Sequence, residues 1–583
     1  MNVFHEFKKI VAESLAEVSR RGGLSEDLDA QPFTVEAPKD PRRGDISTNV
    51  ALAVSRLAGA PPRHIAERIV TELARHESVT RTDVAGPGFI NIRLSDSFWR
   101  ARLADVLNAG DTYGESGIGQ GQRVNVEYVS ANPTGPLHIG HARGGVFGDA
   151  LAALLEKVGY EVTREYYVND AGAQIVALAD SIYHRYRALR GDNPGELPEG
   201  LYPGEYLNET AEQFARDGDK WLDAPRETRI ESFGRRGSER MLAEIRKDLG
   251  DLGIRFDHFV HERDLHRDGT VASVIDALRK KGCVAEGILE PPKGKRPENW
   301  LPRKQTLFLS KNFGDDVDRP VTKSDGTWTY FASDIAYHHD KISRGYSELI
   351  DVWGADHGGY VKRMSAVVEA LTDGDVALDV KLCQLVRVTR DGVPVKMSKR
   401  AGTFVTLREV LDEVGKDVLR FIMLTRRNDA PLDFDLSKVM EQSKDNPVFY
   451  VQYAHARSCS ALRNARAAFD DVDLTAEALA KSDLTCLTDP GELALIKTLA
   501  AWPQSVETAA QAHEPHRLAF FLSELAAEFH AQWNKGNESP SLRFIVAENP
   551  SLSLARLALV RAVGFTIASG LRIFGVEPVD EMR

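Results

Sequence analysis

Two histidines, His138 and His141, lie three residues apart in the stretch PTGPLHIGHARGG. The preceding run RVNVEYVS is rich in β-branched residues and an Ala- and Leu-rich helical pattern follows, so a strand, a loop and a helix are predicted. Both imidazoles would then lie at a helix N-terminus, where unpaired N–H groups and the positive end of the dipole bind phosphate. Gly140 has no side chain to keep a flat base away from the backbone. Taken alone, the pair could also be two capping or packing histidines.

A second stretch whose residues could take part in a reaction is PVKMSKRAG. It carries the cations Lys396, Lys399 and Arg400 beside Met397 and Ser398. It follows the strand-like run CQLVRVTRDG, so we interpret it as a loop. Lysines on such a loop can close on a triphosphate and neutralise the charge that develops on a leaving pyrophosphate. Alone, the stretch is equally compatible with an exposed basic loop.

Composition limits the classes of protein that could use these residues. A chain of 583 residues is too long for one hydrophobic core, so three or more domains are expected. The net charge of −12 repels nucleic acid, so any such binding requires local basic patches. No run approaches 18 uncharged apolar residues, so no membrane span is predicted. The four cysteines lack the spacing of a disulfide framework or a structural zinc site, which fits a reducing cytoplasm.

The two stretches must be positioned by a larger frame. From about residue 120 to 440, apolar runs alternate with helical segments, which predicts βαβ units and a parallel sheet, with residues of about 190–305 interpreted as an insertion. Residues 1–112 mix helical patterns with the short β-like run GPGFINIRLS, and the glycine-rich GESGIGQGQ follows as a linker. Residues 446–583 are helical almost throughout, which favours a helix bundle. The predicted fold is therefore α/β, flanked by an α+β and an all-α domain.

Together, HIGH and KMSKR resemble the two signatures of the class I aminoacyl-tRNA synthetases. The resemblance implies a Rossmann-like catalytic domain in which both histidines and the second lysine contact ATP phosphates during adenylate formation. The catalytic residues it implies are His138, His141, Lys396 and Lys399. The ATP-binding residues it implies are His138, Gly140, His141, Met397, Ser398 and Lys399.

Further stretches are similar to the bacterial arginyl-tRNA synthetases, among them EYVSANPTGPLHIGHARGGVFGDAL, REYYVNDAGAQI, YFASDIAYHHDK and VWGADHGGYVKRM. The resemblance implies a domain that binds the tRNA elbow (1–112), a class I catalytic domain (120–440) and a helical anticodon-binding domain (446–583). The Asp-Ala-Leu-Arg motif of the last domain reads Ser460-Ala461-Leu462-Arg463 here, so its aspartate is absent.

The amino-acid pocket follows from the chemistry of arginine. A guanidinium is planar and always charged, so selecting it requires carboxylates on rigid elements. The resemblance implies Glu127, Tyr330 and Asp334 at the guanidinium and Ser130, Asn132 and Asp356 at the α-amino group. Outside that context, Glu127 could be an ordinary strand residue, Asp334 a helix cap and Tyr330 a core residue.

The C-terminal helical segment combines aromatic and basic residues in a way that suits stacking on unpaired anticodon bases. We expect at least half of its aromatics to belong to the bundle core instead. The tRNA-binding residues predicted are Phe449, Tyr453, Arg457 and Arg463.

The resemblance implies that arginine and ATP give arginyl-adenylate, that arginine then moves to the 3′ end of its tRNA, and that the tRNA must be bound before activation. Magnesium is expected with ATP, and no protein-bound metal is predicted. We expect a cytoplasmic monomer without membrane contact. Three alternatives stay open: another class I synthetase, a small nucleotidyltransferase of the HxGH type, and a non-catalytic RNA-binding relative.

Overall fold

The computed structural model describes residues 2–22, 31–288, 304–395, 405–469 and 472–582. The N-terminal elements are α1 (Val3–Gly22), β1 (Val35–Glu36), β2 (Ile46–Thr48), α2 (Val50–Ala58), α3 (Pro62–Leu73), β3 (Val79–Ala85), β4 (Phe89–Leu94) and α4 (Asp96–Ala109). The four strands form an antiparallel sheet of order β1-β2-β4-β3. Helix α1 packs on α3 because Phe7, Val11 and Leu15 recur at helical spacing and are all buried. The predicted α+β character of this part of the chain is confirmed.

The central part contains a five-stranded parallel sheet. Its elements in chain order are β5 (Arg123–Glu127), α5 (Ile139–Lys157), β6 (Glu161–Val168), α6 (Ala173–Leu189), α7 (Asn208–Ala215), α8 (Arg226–Asp251), β7 (His258–His261), α9 (Glu262–Arg267), α10 (Thr270–Lys280), β8 (Val284–Ile288), β9 (Lys304–Phe308), β10 (Arg319–Pro320), α11 (Tyr330–Ser343), β11 (Glu348–Gly354), α12 (Val361–Thr372) and β12 (Ala377–Cys383). The sheet order is β12-β11-β5-β6-β7. The chain order reverses between β5 and β11, and the crevice at the carboxyl end of such strands is where nucleotide-binding sheets hold their ligands.

Two excursions leave this sheet. Helices α6, α7 and α8 connect β6 to β7 and enclose a cluster of aromatic side chains, in which the rings of Phe214 and Phe233 stack at 3.7 Å. A small antiparallel sheet, β10-β9-β8, lies between β7 and β11. The interpretation of residues 190–305 as one insertion therefore differs from the structure, because β7 lies inside that range and is the edge strand of the parallel sheet.

A second, three-stranded sheet follows β12. Its strands are β13 (Val386–Arg390), β14 (Val393–Pro394) and β15 (Leu432–Asp435), and the helices between β14 and β15 are α13 (Leu407–Val414) and α14 (Lys416–Met423). Strand β13 pairs in parallel with β15 and in antiparallel with β14. The β13–β14 hairpin therefore leads the chain into the segment that contains KMSKR.

The C-terminal part is a helix bundle, as predicted. Its helices are α15 (Pro447–Ala468), α16 (Ala476–Ala480), α17 (Pro490–Ala500), α18 (Trp502–Ala512), α19 (His516–Glu538) and α20 (Pro550–Ile573). Helix α4 packs against α16, α17 and α20, so the end of the N-terminal segment also contacts the bundle. Among the described helices, α20 alone has the length and apolar composition of a membrane span. Because 83% of its apolar window is buried, it is the core helix of the bundle.

The bundle is joined to the parallel-sheet domain by Arg420, whose side chain is fully buried. Its guanidinium donates to the carboxylate of Asp149 on α5 (2.5 Å), to the carbonyl of Leu252 (3.1 Å) and to the carbonyl of Phe574 after α20. The next residue, Gly575, has a φ of +64°. A Cβ there would lie 2.6 Å from the Arg420 guanidinium, so both the backbone and the available space require glycine.

Replacing Gly575 by alanine should destabilise the junction twice over. The left-handed backbone costs about 1–2 kcal/mol for a residue with a Cβ, and displacement of a buried guanidinium should add about 1–3 kcal/mol. Gly269→Ala is the matched control, because Gly269 is also left-handed but has open space around its Cβ position. Thermal unfolding should show that Gly575→Ala loses more unfolding free energy than Gly269→Ala. Equal losses would mean that Arg420 does not restrict this position.

Candidate active site

The loop between β5 and α5 is strained where it leaves the sheet. Val129 and Ser130 have φ angles of +68° and +38°, which non-glycine residues rarely adopt. The Ser130 hydroxyl donates to the carboxylate of Glu127 (2.8 Å) and accepts from the backbone N–H of Tyr167 (3.1 Å). These two bonds fix the turn, and Ser130 thereby lies between two strands of the sheet. Strain of this kind is held where a ligand must be approached closely.

The two predicted histidines lie together at the start of α5. His138 is the N-cap, and its ring stacks on that of His141 with centroids 3.7 Å apart. The Nδ1 of His138 accepts from the N–H of Gly140 (3.1 Å), and the Nδ1 of His141 accepts from the N–H of His138 (3.2 Å). Since each Nδ1 is an acceptor, the proton of each neutral ring resides on Nε2. The pair, with a proton on each Nε2, lies at the positive end of a helix.

Gly140 is closely packed against His138. A Cβ at this position would lie 3.0 Å from Cε1 and 3.1 Å from Nδ1 of His138. An alanine would therefore require the His138 ring to shift by a few tenths of an ångström. This constraint is independent of any base that packs against the backbone.

The KMSKR residues Lys396, Met397, Ser398, Lys399 and Arg400 lie outside the described residues. The chain on either side of them contacts the hairpin and the HIGH loop. Val395 donates its N–H to the carbonyl of Val388 in the hairpin (3.0 Å). After the segment, Thr406 forms a β-bridge with His138, and Leu407 donates its N–H to the carbonyl of Leu137 (2.8 Å). The chain that leaves the KMSKR segment thus returns directly against the HIGH loop.

Glu127, predicted to face a guanidinium, is held by a cation of the protein. Lys341 of α11 is fully buried and donates to Glu127 (2.5 Å) and to Asp351 of β11 (2.8 Å). His338 bonds the other oxygen of Asp351 through Nε2 (3.0 Å). Burial disfavours the negative charge of Asp351, but the ammonium of Lys341 holds the pKa of this carboxyl well below its ordinary value. These contacts favour a structural role for Glu127, whose role at the substrate stays a prediction.

Asp334 lies one helical turn after Tyr330 on α11, so the two residues share a helix face. One oxygen of Asp334 accepts from the hydroxyl of Tyr360, and burial raises the pKa of its carboxyl. Tyr330 is half-exposed, and its hydroxyl lies beside Gly172. Both positions are compatible with the predicted pocket, since Asp334 is inside and Tyr330 at the rim.

A second acid, Glu262, was not recognised in the sequence. It opens α9 directly after β7, its side chain is 4% exposed, and its Oε2 has no hydrogen-bond partner among the described residues. Burial raises the pKa of Glu262 to about 7, and the neighbouring charge of Asp334 adds to the effect. The buried hydroxyl of Tyr167 likewise has no described partner. Unsatisfied buried polar groups are costly, so this cluster is a site that a cationic ligand would satisfy.

The remaining predicted residues for the amino group are less constrained. Asn132 lies exposed in the HIGH loop. Asp356 is exposed in the turn after β11, where its carboxylate lies 3.6 Å from the His357 ring. Since β5 and β11 flank the point of strand reversal, both residues lie at the same edge of the sheet as His138. Their contacts with a ligand stay predictions.

The predicted tRNA-binding residues are grouped on α15. The rings of Phe449 and Tyr453 stack at 5.7 Å, and the Arg457 guanidinium lies over Tyr453 (4.2 Å) and over Trp533 of α19 (5.1 Å). A groove of about 350 Å³ is lined by Tyr453, Arg457, Trp533 and Arg463 together with Glu581, and Phe449 is not among its lining residues. Trp533 was not recognised in the sequence, because it comes from another helix. An aromatic and basic groove of this kind suits a stacked base.

Three parts of the chain match known protein families. Residues 5–94 match the arginyl tRNA synthetase N terminal domain, residues 102–197 match the catalytic domain of class I (R) tRNA synthetases, and residues 451–582 match the DALR anticodon binding domain. The third match is found although Ser460 replaces the aspartate of the motif. The three families follow one another in the order inferred from the sequence.

Relatives match over the full length. The chain is 56% identical over 584 residues to the arginine–tRNA ligase of Parvibaculum lavamentivorans and 54% identical over 584 residues to that of Cereibacter sphaeroides, with 100% of both chains covered each time. The solved structure of Thermus thermophilus arginyl-tRNA synthetase superimposes with a TM-score of 0.72 at 22% identity, covering 98% of this chain and 100% of that one. This last likeness concerns the fold.

The buried charge of Glu262 should lower the stability of the ligand-free protein. In the folded chain its pKa is about 7 instead of the ordinary 4.5, so the cost is absent at low pH and grows as the pH rises from 4.5 to 7. Above pH 7 the difference corresponds to about 3 kcal/mol. Glu262→Gln should therefore stabilise the protein at pH 8, with a gain below about 1 kcal/mol at pH 5, as measured by thermal unfolding.

Glu165→Gln is the control of opposite sign. Burial disfavours the negative charge of Glu165. The Arg344 guanidinium donates to its carboxylate (2.5 Å) and holds the pKa of Glu165 below its ordinary value. That variant should lose stability at pH 8. A destabilised Glu262→Gln at pH 8 would show that the contacts of Glu262 with His266 (3.6 Å) and Ser333 outweigh the cost of burying its charge.

Proposed function

Since this chain belongs to the class I arginyl-tRNA synthetases, as its two signatures and the stretches around them indicated, we propose that it attaches arginine to the 3′ end of its tRNA in two steps. Arginine and ATP first form arginyl-adenylate and pyrophosphate, and arginine then moves to the terminal ribose. The observation that carries the proposal is that the histidines and an acidic pair both follow strands at the carboxyl edge of the parallel sheet. His138 and His141 follow β5, whereas Glu262 follows β7 and lies near Asp334 of α11.

In the first step, the α-carboxylate of arginine attacks the α-phosphorus of ATP in line, and the bond to pyrophosphate breaks. The substrate supplies the nucleophile, so the protein needs only to position and to stabilise charge. The Nε2–H groups of His138 and His141 donate to phosphate oxygens, and Gly140, which has no side chain, leaves the backbone open to a flat base. Lys396 and Lys399 neutralise the leaving pyrophosphate, next to Met397 and Ser398. Class I chemistry uses ATP, and magnesium enters with it as part of the substrate.

The amino-acid pocket is proposed from α9, α11 and the strained loop. Asp334 and Glu262 face the guanidinium, with Tyr330 at the rim. Because Lys341 already pairs with Glu127, Glu127 supports the pocket through α11. The α-amino group is assigned to Ser130, Asn132 and Asp356, which follow β5 and β11.

In the second step, a hydroxyl of the terminal ribose attacks the arginyl carbonyl and AMP leaves. We assign the anticodon to the groove of Tyr453, Arg457 and Arg463 and to Phe449, which stacks on Tyr453, within a helical domain of residues 446–583. Residues 1–112 are assigned to the tRNA elbow and residues 120–440 to catalysis. The enzyme is proposed to be monomeric and cytoplasmic.

Variants at the phosphate side test the catalytic assignment. His138→Ala and Lys399→Ala each remove a charge-assisted donor from the transition state, a loss of about 2–4 kcal/mol. Pyrophosphate exchange, measured with tRNA present, should fall about 30- to 1,000-fold while the arginine concentration for half-maximal rate changes little. His64→Ala, at an exposed position of the N-terminal part, is the control. Wild-type exchange rates in both active-site variants would disprove the assignment.

Variants at the acidic side test the choice of amino acid. Asp334→Asn and Glu262→Gln each leave a buried guanidinium half-paired, a loss of about 3–5 kcal/mol. The arginine concentration that gives the half-maximal exchange rate should rise by about two orders of magnitude or more. The corresponding concentration of ATP should hardly change. Citrulline, which is uncharged and nearly isosteric with arginine, should be rejected by the wild type and discriminated less by the variants.

Glu127→Gln separates the two roles considered for Glu127. A direct contact with the guanidinium predicts the same rise in arginine requirement. The structural role predicts a lower thermal midpoint with a smaller change in arginine dependence. If Asp334→Asn and Glu262→Gln both keep wild-type arginine dependence, the pocket lies elsewhere.

A further inference from the structure

Arg143 is a buried cation on α5, two residues after His141. Its side chain is 1% exposed. It donates to the backbone carbonyls of Gln384 (2.7 Å), Arg427 (2.8 Å) and, more weakly, Leu385 (3.5 Å), and no described carboxylate pairs with it. Burial lowers the pKa of its guanidinium. Because a buried charge without a counter-ion is expensive, the contacts it makes require an explanation.

The carbonyls belong to two segments that lead into neighbouring strands, β13 and β15. Gln384 and Leu385 connect β12 to β13, and Arg427 lies between α14 and β15. The segments are bonded to each other, since Gln384 donates its N–H to the carbonyl of Asn428 (2.7 Å) and the Asn428 side chain donates to the carbonyl of Leu382 (2.9 Å). Arg143 therefore holds the base of the hairpin to the helix that begins at His138.

The geometry of the group explains why it is an arginine. The guanidinium presents donors in a rigid planar fork, so NH1 and NH2 can reach carbonyls of two different segments at once. A lysine has one ammonium on a flexible stem and cannot keep both bonds in fixed directions.

The position of Arg143 complements the contact on the far side of KMSKR. The chain after that segment is held to the HIGH loop by the Thr406–His138 bridge and by the Leu407 N–H. Before the segment, the hairpin reaches α5 through Arg143. The chain on both sides of the KMSKR segment is therefore attached to the start of the helix that carries the histidines.

We propose that Arg143 is a positioning residue for arginine activation, which fixes the base of the β13–β14 hairpin to the helix that carries His138 and His141. The proposal rests on the function proposed above. Arg143 itself touches no substrate, and it acts through Gln384 and Arg427. Its loss should therefore alter the use of ATP more than the binding of arginine.

The test compares Arg143→Lys with Arg556→Lys. Arg556 is an equally buried arginine that donates to two backbone carbonyls, those of Ser541 and Arg543 (2.7 Å each), and pairs with Glu492 inside the bundle core. Pyrophosphate exchange with tRNA present is measured well below the thermal midpoint of each variant. Arg143→Lys should lower kcat 10- to 100-fold and raise the KM for ATP several-fold, with the KM for arginine within twofold. Arg556→Lys should lower the thermal midpoint and keep kcat within about threefold.

A second variant tests the same junction without touching Arg143. Asn428→Ala removes the half-buried amide that binds the two segments together, and it should show the same pattern in weaker form. If Arg143→Lys folds and keeps wild-type kcat and KM for ATP, the proposal is overturned. If Arg143→Lys does not fold, unchanged exchange in Asn428→Ala overturns it. Lack of arginine-dependent exchange in the wild type would instead remove the proposed function, and this inference with it.

Discussion

The active-site edge of the parallel sheet depends on one buried cation. Lys341 lies between Glu127 and Asp351, which are register partners on the neighbouring strands β5 and β11. Without it, two buried carboxylates would face each other across a strand spacing of about 4.8 Å. Breaking such a pair costs about 3–5 kcal/mol, so α11 is tied firmly to both sides of the point where the strand order reverses. Asp334, on the same helix, inherits its position from this network.

The strained turn after β5 separates the two chemical halves of the site. Val129 and Ser130 hold left-handed backbone at a cost of about 1–2 kcal/mol each. The bonds of the Ser130 hydroxyl to both β5 and β6 are what maintain it. Because the chain turns here, α5 begins with its positive end at the carboxyl edge of the sheet, beside the point where the strand order reverses.

Local patterns in the sequence were sufficient for part of this arrangement. The strand, loop and helix around HIGH lie within one short stretch, so the strand propensity of RVNVEYVS and the helical period after His138 predicted them. The partner of Glu127 could not be predicted in the same way, because Lys341 is 214 residues further along the chain. Glu262 was missed because β7 has only four residues, two of them histidines, and shows no alternation of apolar and polar side chains. Its range was therefore interpreted as part of an insertion.

The helix that begins at His138 is bound at several levels to the parts of the chain that must act together. Near its start, Arg143 contacts the base of the hairpin that leads to the KMSKR segment. Further along, Asp149 pairs with Arg420, which also binds the carbonyl after α20 in the bundle. The contacts from α20 through Arg420 to Asp149 therefore join the bundle to the same 19-residue helix that begins at His138, so that one rigid element is in contact with both the hairpin and the bundle.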